Sequence, residues 1–295
     1  MPTPTVSIAI ATYRSELGFL REALSSALAQ DFQDLEVIVT DDSSSEHIQR
    51  LVYSFGDPRI RYRSNSRALG VAQNHAMAFH EARAPFLAIL NHDDRWSSRF
   101  LSTLVPPLLG DPSLAASFCD HHLMNASGQE LKEETDVASK MWGRASLTPG
   151  VYTSMVPFVA SQTIPMAMGC VFRKSALPPG EPRHESGPAY DLWMTYLLAK
   201  SGLGIYYSAE RLSSWRSHAS NITTKGSLSW SMGVSFCWLA ISNDEMFREF
   251  RDVARRKAAL SLRAAAVHSL RAGRGWQAYK LATRSRQLRR LAMAT

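Results

Sequence analysis

Residues 6–44 read VSIAIATYRSELGFLREALSSALAQDFQDLEVIVTDDSS, and the periodicity changes twice within them. Val6–Ala11 is a short apolar run of the length and composition of a buried strand. Leu17, Leu20, Leu24 and Leu28 then recur at helical spacing, with Ala23 and Ala27 on or near the same face. A second run, LEVIVT at 35–40, reads as another strand and stops at Asp41-Asp42-Ser43. Strand, helix and strand of these lengths form a βα unit, whose strands run parallel because a helix carries the chain back.

The same alternation continues outward. A helical segment at 47–55 leads through Asp57-Pro58 into RIRYR, where Ile60 and Tyr62 share one face. Residues 71–82 read as a helix, and PFLAIL at 85–90 as a buried strand. The expected fold is therefore α/β, a Rossmann-like, mainly parallel sheet flanked by helices. This reading puts three polar clusters at strand C-terminal ends: Thr12-Tyr13-Arg14, Asp41-Asp42-Ser43 and His92-Asp93-Asp94. In open α/β sheets ligands bind along that edge. Each cluster alone has a plain structural use, since Asp and Ser also open turns and cap helices. Three on one rim point to a ligand.

Beyond residue 110 the pattern loosens. A strand is expected over Leu114–Leu123, turning at Ser127-Gly128, and residues 130–165 have no clean period. MGCVFRK at 168–174 reads as a strand, Tyr190–Lys200 as a helix closed by Gly202, and GIYY as a return strand. From about 228 the chain is helical, ending in a basic hairpin bent near Gly273 and Gly275. The expected organisation is one domain over 1–225, with halves at 1–110 and 111–225, and a helical basic extension over 226–295.

Composition narrows the function classes. The net charge of +7 over 295 residues is unevenly spread. Residues 248–295 carry 13 Lys/Arg against 2 Asp/Glu, a balance of +11, which leaves −4 for the rest. A generally basic, nucleic-acid-binding body is thereby excluded, and no nucleic-acid partner is expected. No run of about 18 apolar residues offers a membrane span, and MPTPTVSIAIATYR lacks the basic start of a secretory leader. Cys119, Cys170 and Cys237 are too dispersed for a zinc site or a disulfide framework, as in a reducing compartment. The expected location is cytoplasmic, with the basic tail at the inner face of a membrane as one reading. In that reading Arg and Lys meet anionic lipid while Trp276, Tyr279 and Leu281 lie near the interface. In the other, the hairpin packs its Leu and Ala stripe on the body and is otherwise solvated.

The 6–44 stretch, followed by LGVAQNHAMAFHEARAPFLAILNHDD at 69–94, resembles the N-terminal half of family 2 glycosyltransferases. The likeness covers roughly residues 5–110, with weaker signals at Asp191 and Trp215-Arg216-Ser217-His218. It implies a GT-A fold and a nucleotide-diphosphate sugar donor, linked to UDP, GDP or dTDP. It also implies inversion at the anomeric carbon and a sugar or lipid-linked acceptor in cell-envelope or other glycoconjugate synthesis. Thr12 and Tyr13, with Arg14 beside them, are implied to line the base and ribose pocket, and Asp42 to face the base. Asn74 corresponds to the second residue of an Arg-Asn pair common in the family. Gln73 takes the arginine position, which leaves Arg67 as the nearby cation.

LNHDD corresponds to the family's Asp-x-Asp metal motif, with Asn91 replacing the first aspartate. Mg²⁺ or Mn²⁺ is implied, since a divalent ion neutralises charge developing on the leaving diphosphate. One of Asp93 and Asp94 is expected on the metal and the other on the sugar or ribose. His218 is implied to complete the metal shell and Arg216 to bind phosphate. Asp191, opening the helix after MGCVFRK, is implied as the general base that takes the acceptor's proton. Capping alone also favours Asp there, and Glu185 is the reserve. Two other readings compete. A nucleotidyltransferase would carry a Gly-rich, basic phosphate loop after the first strand, and ATYRSELGF has none. A non-catalytic sugar- or partner-binding module is the third reading, allowed by Asn91 and Gln73.

Overall fold

The computed structural model describes residues 3–219, 221 and 226–293. Strands β1 (Val6–Thr12), β2 (Leu35–Asp41), β3 (Ile60–Ser64) and β4 (Phe86–Ile89) form one half of a sheet. Helices α1 (Leu17–Leu28), α2 (Glu46–Tyr53) and α3 (Val71–Glu81) connect them. All pairings in this half are parallel, and the spatial order β3-β2-β1-β4 reverses the direction of winding beside β1.

Alternate residues of each strand serve opposite faces. Val6, Ile8 and Ile10 pack with Leu20 and Leu24 of α1 and with Ile48 of α2. Ala9, Ile38 and Leu87 pack on the other side with Ala78 and Phe79 of α3. Burial on both faces is why these strands read as continuous apolar runs instead of alternating ones.

The second half extends the sheet. After β5 (Arg95–Trp96) and α4 (Phe100–Gly110) come β6 (Leu114–Met124), α5 (Lys132–Met141), β7 (Gly150–Tyr152), α6 (Val156–Ser161), β8 (Cys170–Arg173), α7 (Tyr190–Lys200) and β9 (Gly204–Arg216). The order continues β4-β8-β6-β9-β5, with β7 also on β9. β8 is antiparallel to β4 and β6, while β6 and β9 are parallel to each other. Among the described residues six of the nine strands therefore point one way, and the sheet is mainly parallel as expected. The aperiodic 130–165 stretch is more ordered than its sequence pattern indicates. α5 is a half-exposed helix whose acidic first turn, Glu133 and Glu134, faces its own N-terminus, which favours negative charge.

The C-terminal helices α8 (Leu228–Asn243), α9 (Arg251–Arg271) and α10 (Gly275–Leu291) follow. They are continuous with the body: Cys237, Trp238, Ile241, Phe247, Ala254 and Ala258 share the core that holds α7. α8 lies close because Gly233 faces the turn at 184–189, and a Cβ there would stand 2.2 Å from the Ser186 carbonyl oxygen. Gly233→Ala is expected to lower stability by about 1–3 kcal/mol through this overpacking, read as a shift in the urea midpoint. Unchanged stability would show that α8 and the turn are not in register. Among the described residues no helix is long and apolar enough to cross a membrane.

Candidate active site

The C-terminal ends of β1, β2 and β4 meet at the reversal of winding, the place where open α/β sheets bind ligands. Here Asp41 and Asp42, adjacent in sequence, divide their work. Asp41 is fully buried and accepts hydrogen bonds from the Ser43 and Ser45 amides, the Ser43 and Thr12 hydroxyls and Tyr62. Burial pushes its carboxyl up, and the donors of Ser43, Ser45 and Thr12 more than reverse this, leaving it below the ordinary aspartate range. Asp41 thereby closes the turn that leads into α2, which begins after Ser45 without a side-chain cap. Its neighbour Asp42 receives the Leu69 and Gly70 amides at 3.0 and 2.8 Å and the Asn65 amide at 2.8 Å. Three donors leave about one lone-pair direction of this carboxylate for a ligand.

Other expected contacts sort themselves by exposure. Tyr13 is exposed, with the Arg14 guanidinium 5.2 Å from its ring centroid, and Arg67 is exposed on the loop before α3. These three face solvent on the rim. Thr12 and Asn74 do not. The Thr12 hydroxyl turns to Asp41, and the Asn74 amide donates to the Thr12 and Thr40 carbonyls while accepting from Asn65. Asn74 is thereby a tie between strand ends, with its polar atoms committed to the protein. Gln73, standing where the family often has arginine, donates to the Pro182 carbonyl at 2.9 Å.

The carboxylate pair in LNHDD resolves by burial. Asp93 is partly exposed, and its Oδ2 lies 2.9 Å from His218 Nε2 across 125 residues of sequence. This closure comes from β5: Arg95 pairs Ser214 and Trp96 pairs Ser213, antiparallel, which carries the end of β9 back to Asp93. Asn221 also reaches the pair, its Nδ2 3.5 Å from Asp93 and 3.3 Å from His218. Ser220 and 222–225, within and after the same signature stretch, lie outside the described residues.

Asp94, by contrast, is wholly enclosed. Oδ1 accepts the Arg216 amide and Oδ2 the Asn91 amide, each at 2.9 Å. Burial, and then the charge of Asp93, push its carboxyl well above the usual aspartate range. The expectation of Asp94 as a metal ligand therefore gives way to a supporting role, since both oxygens are taken and neither meets solvent. Arg216 is corrected in the same way. Its side chain is fully buried and donates to the Asp93 carbonyl, the Ala126 carbonyl and Glu22, with Phe19 beneath it at 4.5 Å. No face of the guanidinium is left for phosphate.

Asn91 explains itself at this point. It donates to Asp94 and accepts from Tyr190 at 3.0 Å, and the Tyr190 ring stacks on His75 with centroids 4.2 Å apart. An amide can donate to one partner while accepting from the other; a carboxylate cannot. Asn91→Asp is expected to cost about 1–3 kcal/mol at neutral pH, because Asp94 loses a buried donor and gains a like charge. Chemical denaturation checks this, and undiminished stability would rule out the pairing.

The Tyr190 bond also brings the start of α7 to the rim, and with it Asp191. That carboxyl accepts the Leu192 amide at 2.8 Å, and burial pushes it above the usual range. Glu185 is exposed on the preceding turn. His121 is buried beside the Asp120–Arg144 ion pair of 2.6 Å. Sequence reasoning missed Glu22, Tyr190 and Asn221 as parts of the site. Glu22 is an ordinary helix-surface residue by pattern, and only the path of β9 makes it a partner of Arg216.

Residues 7–175 match the model of glycosyl transferase family 2. The chain belongs to that family. A UDP-Glc:α-D-GlcNAc-diphosphoundecaprenol β-1,3-glucosyltransferase of Escherichia coli, WfgD, is 33% identical over 104 residues, 35% of this chain and 41% of that one. Residues 1–349 of TarS from S. aureus, solved with UDP-GlcNAc, superpose with a TM-score of 0.64 at 14% identity, covering 96% of this chain and 92% of that one. The mannosyltransferase PcManGT from Pyrobaculum calidifontis, solved with GDP-Man and Mn²⁺, gives 0.62 at 16% identity, covering 99% and 86%. At such identities the likeness is one of fold, and it agrees with the expected GT-A architecture. The chain spans about two thirds or less of the length of the curated relatives it matches.

Proposed function

We propose that this family 2 member transfers a sugar from a nucleotide-diphosphate donor to an acceptor hydroxyl, with inversion at the anomeric carbon. The observation that carries the proposal is the convergence on one rim of the Asp93–His218 pair and the Asp191-bearing start of α7. Tyr190 and Asn91 tie the start of α7 to Asp94, the neighbour of Asp93 in the chain.

The donor atoms fit a small divalent cation. Two ligands of an octahedral ion at about 2.1 Å stand roughly 3 Å apart, the separation of Asp93 Oδ2 and His218 Nε2. Asp93 and His218 would hold such an ion; among the described residues no cluster of three His, Cys, Asp or Glu is found, which would suit Mg²⁺ or Mn²⁺ shared with phosphate and water. The imidazole favours Mn²⁺ over Mg²⁺. Such an ion, when bound, neutralises charge on the departing diphosphate.

The chain's own residues do the rest. Tyr13, Arg14 and Arg67 on the rim cover the nucleoside and its phosphates, and Asp42 offers its last lone pair to the base. Asn74, Asp41, Asp94 and Arg216 hold the strand ends in place. Asp191 takes the proton of the acceptor hydroxyl as the oxygen attacks; its raised proton affinity makes it a stronger base than a solvated aspartate. A UDP-linked donor and a lipid-linked, cell-envelope acceptor are the finer reading, supported by the E. coli relative and by the UDP-GlcNAc bound to TarS.

Calorimetric titration of UDP, GDP and dTDP with and without Mn²⁺ tests the proposal, followed by donor hydrolysis across the matching sugars. Binding of one diphosphate that requires the metal is expected. Absence of metal-dependent binding to all three would leave a non-catalytic module as the better description.

A further inference from the structure

The proposed transfer uses nothing beyond β9 and the loop that follows it, yet the last helices carry the most unbalanced charge in the chain. From Val253 to Thr295 there are 11 Lys/Arg and no Asp or Glu. Packing does not require this. α9 buries Ala258, Leu262, Ala265 and Ser269, and α10 buries Ala278, Leu281 and Ser285. Leu281, expected near a lipid interface from the sequence, is inside the hairpin instead. The contact between the two helices is made of small and apolar groups, and the cations lie outside it.

The tip of the hairpin has a second peculiarity. Around the bend at Gly273, Val267, Leu270, Trp276 and Tyr279 are exposed, Leu270 by 65% and Trp276 by 69%. The Trp276 and Tyr279 rings lie side by side at 5.7 Å and 13°, with Lys280 Nζ 5.1 Å from the Trp276 centroid. Arg271, Arg274 and Lys280 are exposed among them. Large apolar side chains left in water beside cations on both sides of the bend match the two needs of an anionic bilayer. Cations meet lipid phosphates, while aromatic and aliphatic groups enter the boundary between headgroup and acyl chain. A nucleic acid would use the cations and rings but has no place for Val267 and Leu270.

We propose that the tip of the α9–α10 hairpin docks this protein onto anionic lipid bilayers. None of these residues is among those proposed for glycosyl transfer, and the docking does not depend on the glycosyl-transfer reading. Full-length protein is mixed with vesicles of phosphatidylcholine alone or with added phosphatidylglycerol, and bound protein is read by co-sedimentation and the Trp emission shift. Binding to the anionic vesicles only is expected, falling on the order of tenfold in Trp276→Ser/Tyr279→Ser and again in Arg271→Glu/Arg274→Glu/Lys280→Glu. Both variants change exposed residues, so thermal stability and any metal-dependent nucleotide binding should stay at the parent level; a failure of the latter in the parent would concern the active site alone. Equal binding to neutral vesicles, no binding, or undiminished binding of either variant would overturn the proposal. So would tighter binding of single-stranded RNA than of anionic vesicles.

Discussion

Asp191→Asn is expected to lower the transfer rate by roughly 10²- to 10⁴-fold, the usual contribution of a positioned general base. The donor's Kd should change little, because the base proposed at Asp191 acts on the acceptor. The fold should also survive. The carbonyl oxygen of the substituted amide can still accept the Leu192 amide that Asp191 accepts, and an amide is easier to bury than a carboxylate. The sign of the pH effect follows from burial. A carboxyl whose proton affinity is raised in the folded state contributes stability that is lost as pH rises through its folded-state pKa. The substitution is therefore neutral or stabilising at neutral pH. For catalysis the same shift means that activity declines on acidification with a midpoint above that of an ordinary aspartate, a limb the variant lacks. Full transfer activity in a normally folded Asp191→Asn protein would remove the base assignment, and Glu185 would be next.

The second large effect separates the two aspartates of the LNHDD segment. Asp93→Asn and His218→Ala are each expected to weaken metal-dependent nucleotide binding by at least roughly tenfold, through loss of a proposed ligand, with the metal-free Kd unchanged. Asp94→Asn should leave affinity closer to the parent and strike stability instead. The Asp94 oxygens accept Asn91 and the Arg216 amide, so an amide there sets donor against donor at one of the two, costing about 1–3 kcal/mol. Titration of Mn²⁺ and nucleotide by calorimetry, beside thermal denaturation of each variant, gives both readings. If Asp94→Asn abolished metal binding in a stable protein while Asp93→Asn kept it, the roles drawn from burial would be reversed.

These effects also account for the unusual residue at position 91. Compared with the family's common aspartate, Asn91 looks in sequence like a weakened metal motif. Its amide lies between Asp94 and Tyr190 and ties the β4 end to the start of α7, which makes it a positioning residue for both halves of the site. His75, stacked on Tyr190, is fully buried, and desolvation pushes its pKa down to about 4. A neutral imidazole therefore backs the tyrosine across the range in which the protein would be assayed.

The chain's local chemistry determined the fold. Apolar runs of strand length, helical spacing of leucines and the polar stops at Thr12, Asp41 and Asn91 are each set by near neighbours, and burial on both faces of the sheet writes them plainly into the sequence. The same logic placed the three clusters on one rim. What each carboxylate does there was decided by tertiary structure. Asp41 and Asp42 differ by which donors the loop at 65–70 and the turn at 43–45 present to them. Asp93 and Asp94 differ by the β5–β9 register, which delivers Arg216 and His218 from more than 120 residues away. An arginine in a signature loop reads as a phosphate ligand until Glu22 and Phe19, on a helix near the other end of the chain, are seen to enclose it. Burial and hydrogen-bond competition depend on long-range contacts, and adjacent residues of identical type carry no local signal of which one the fold will enclose.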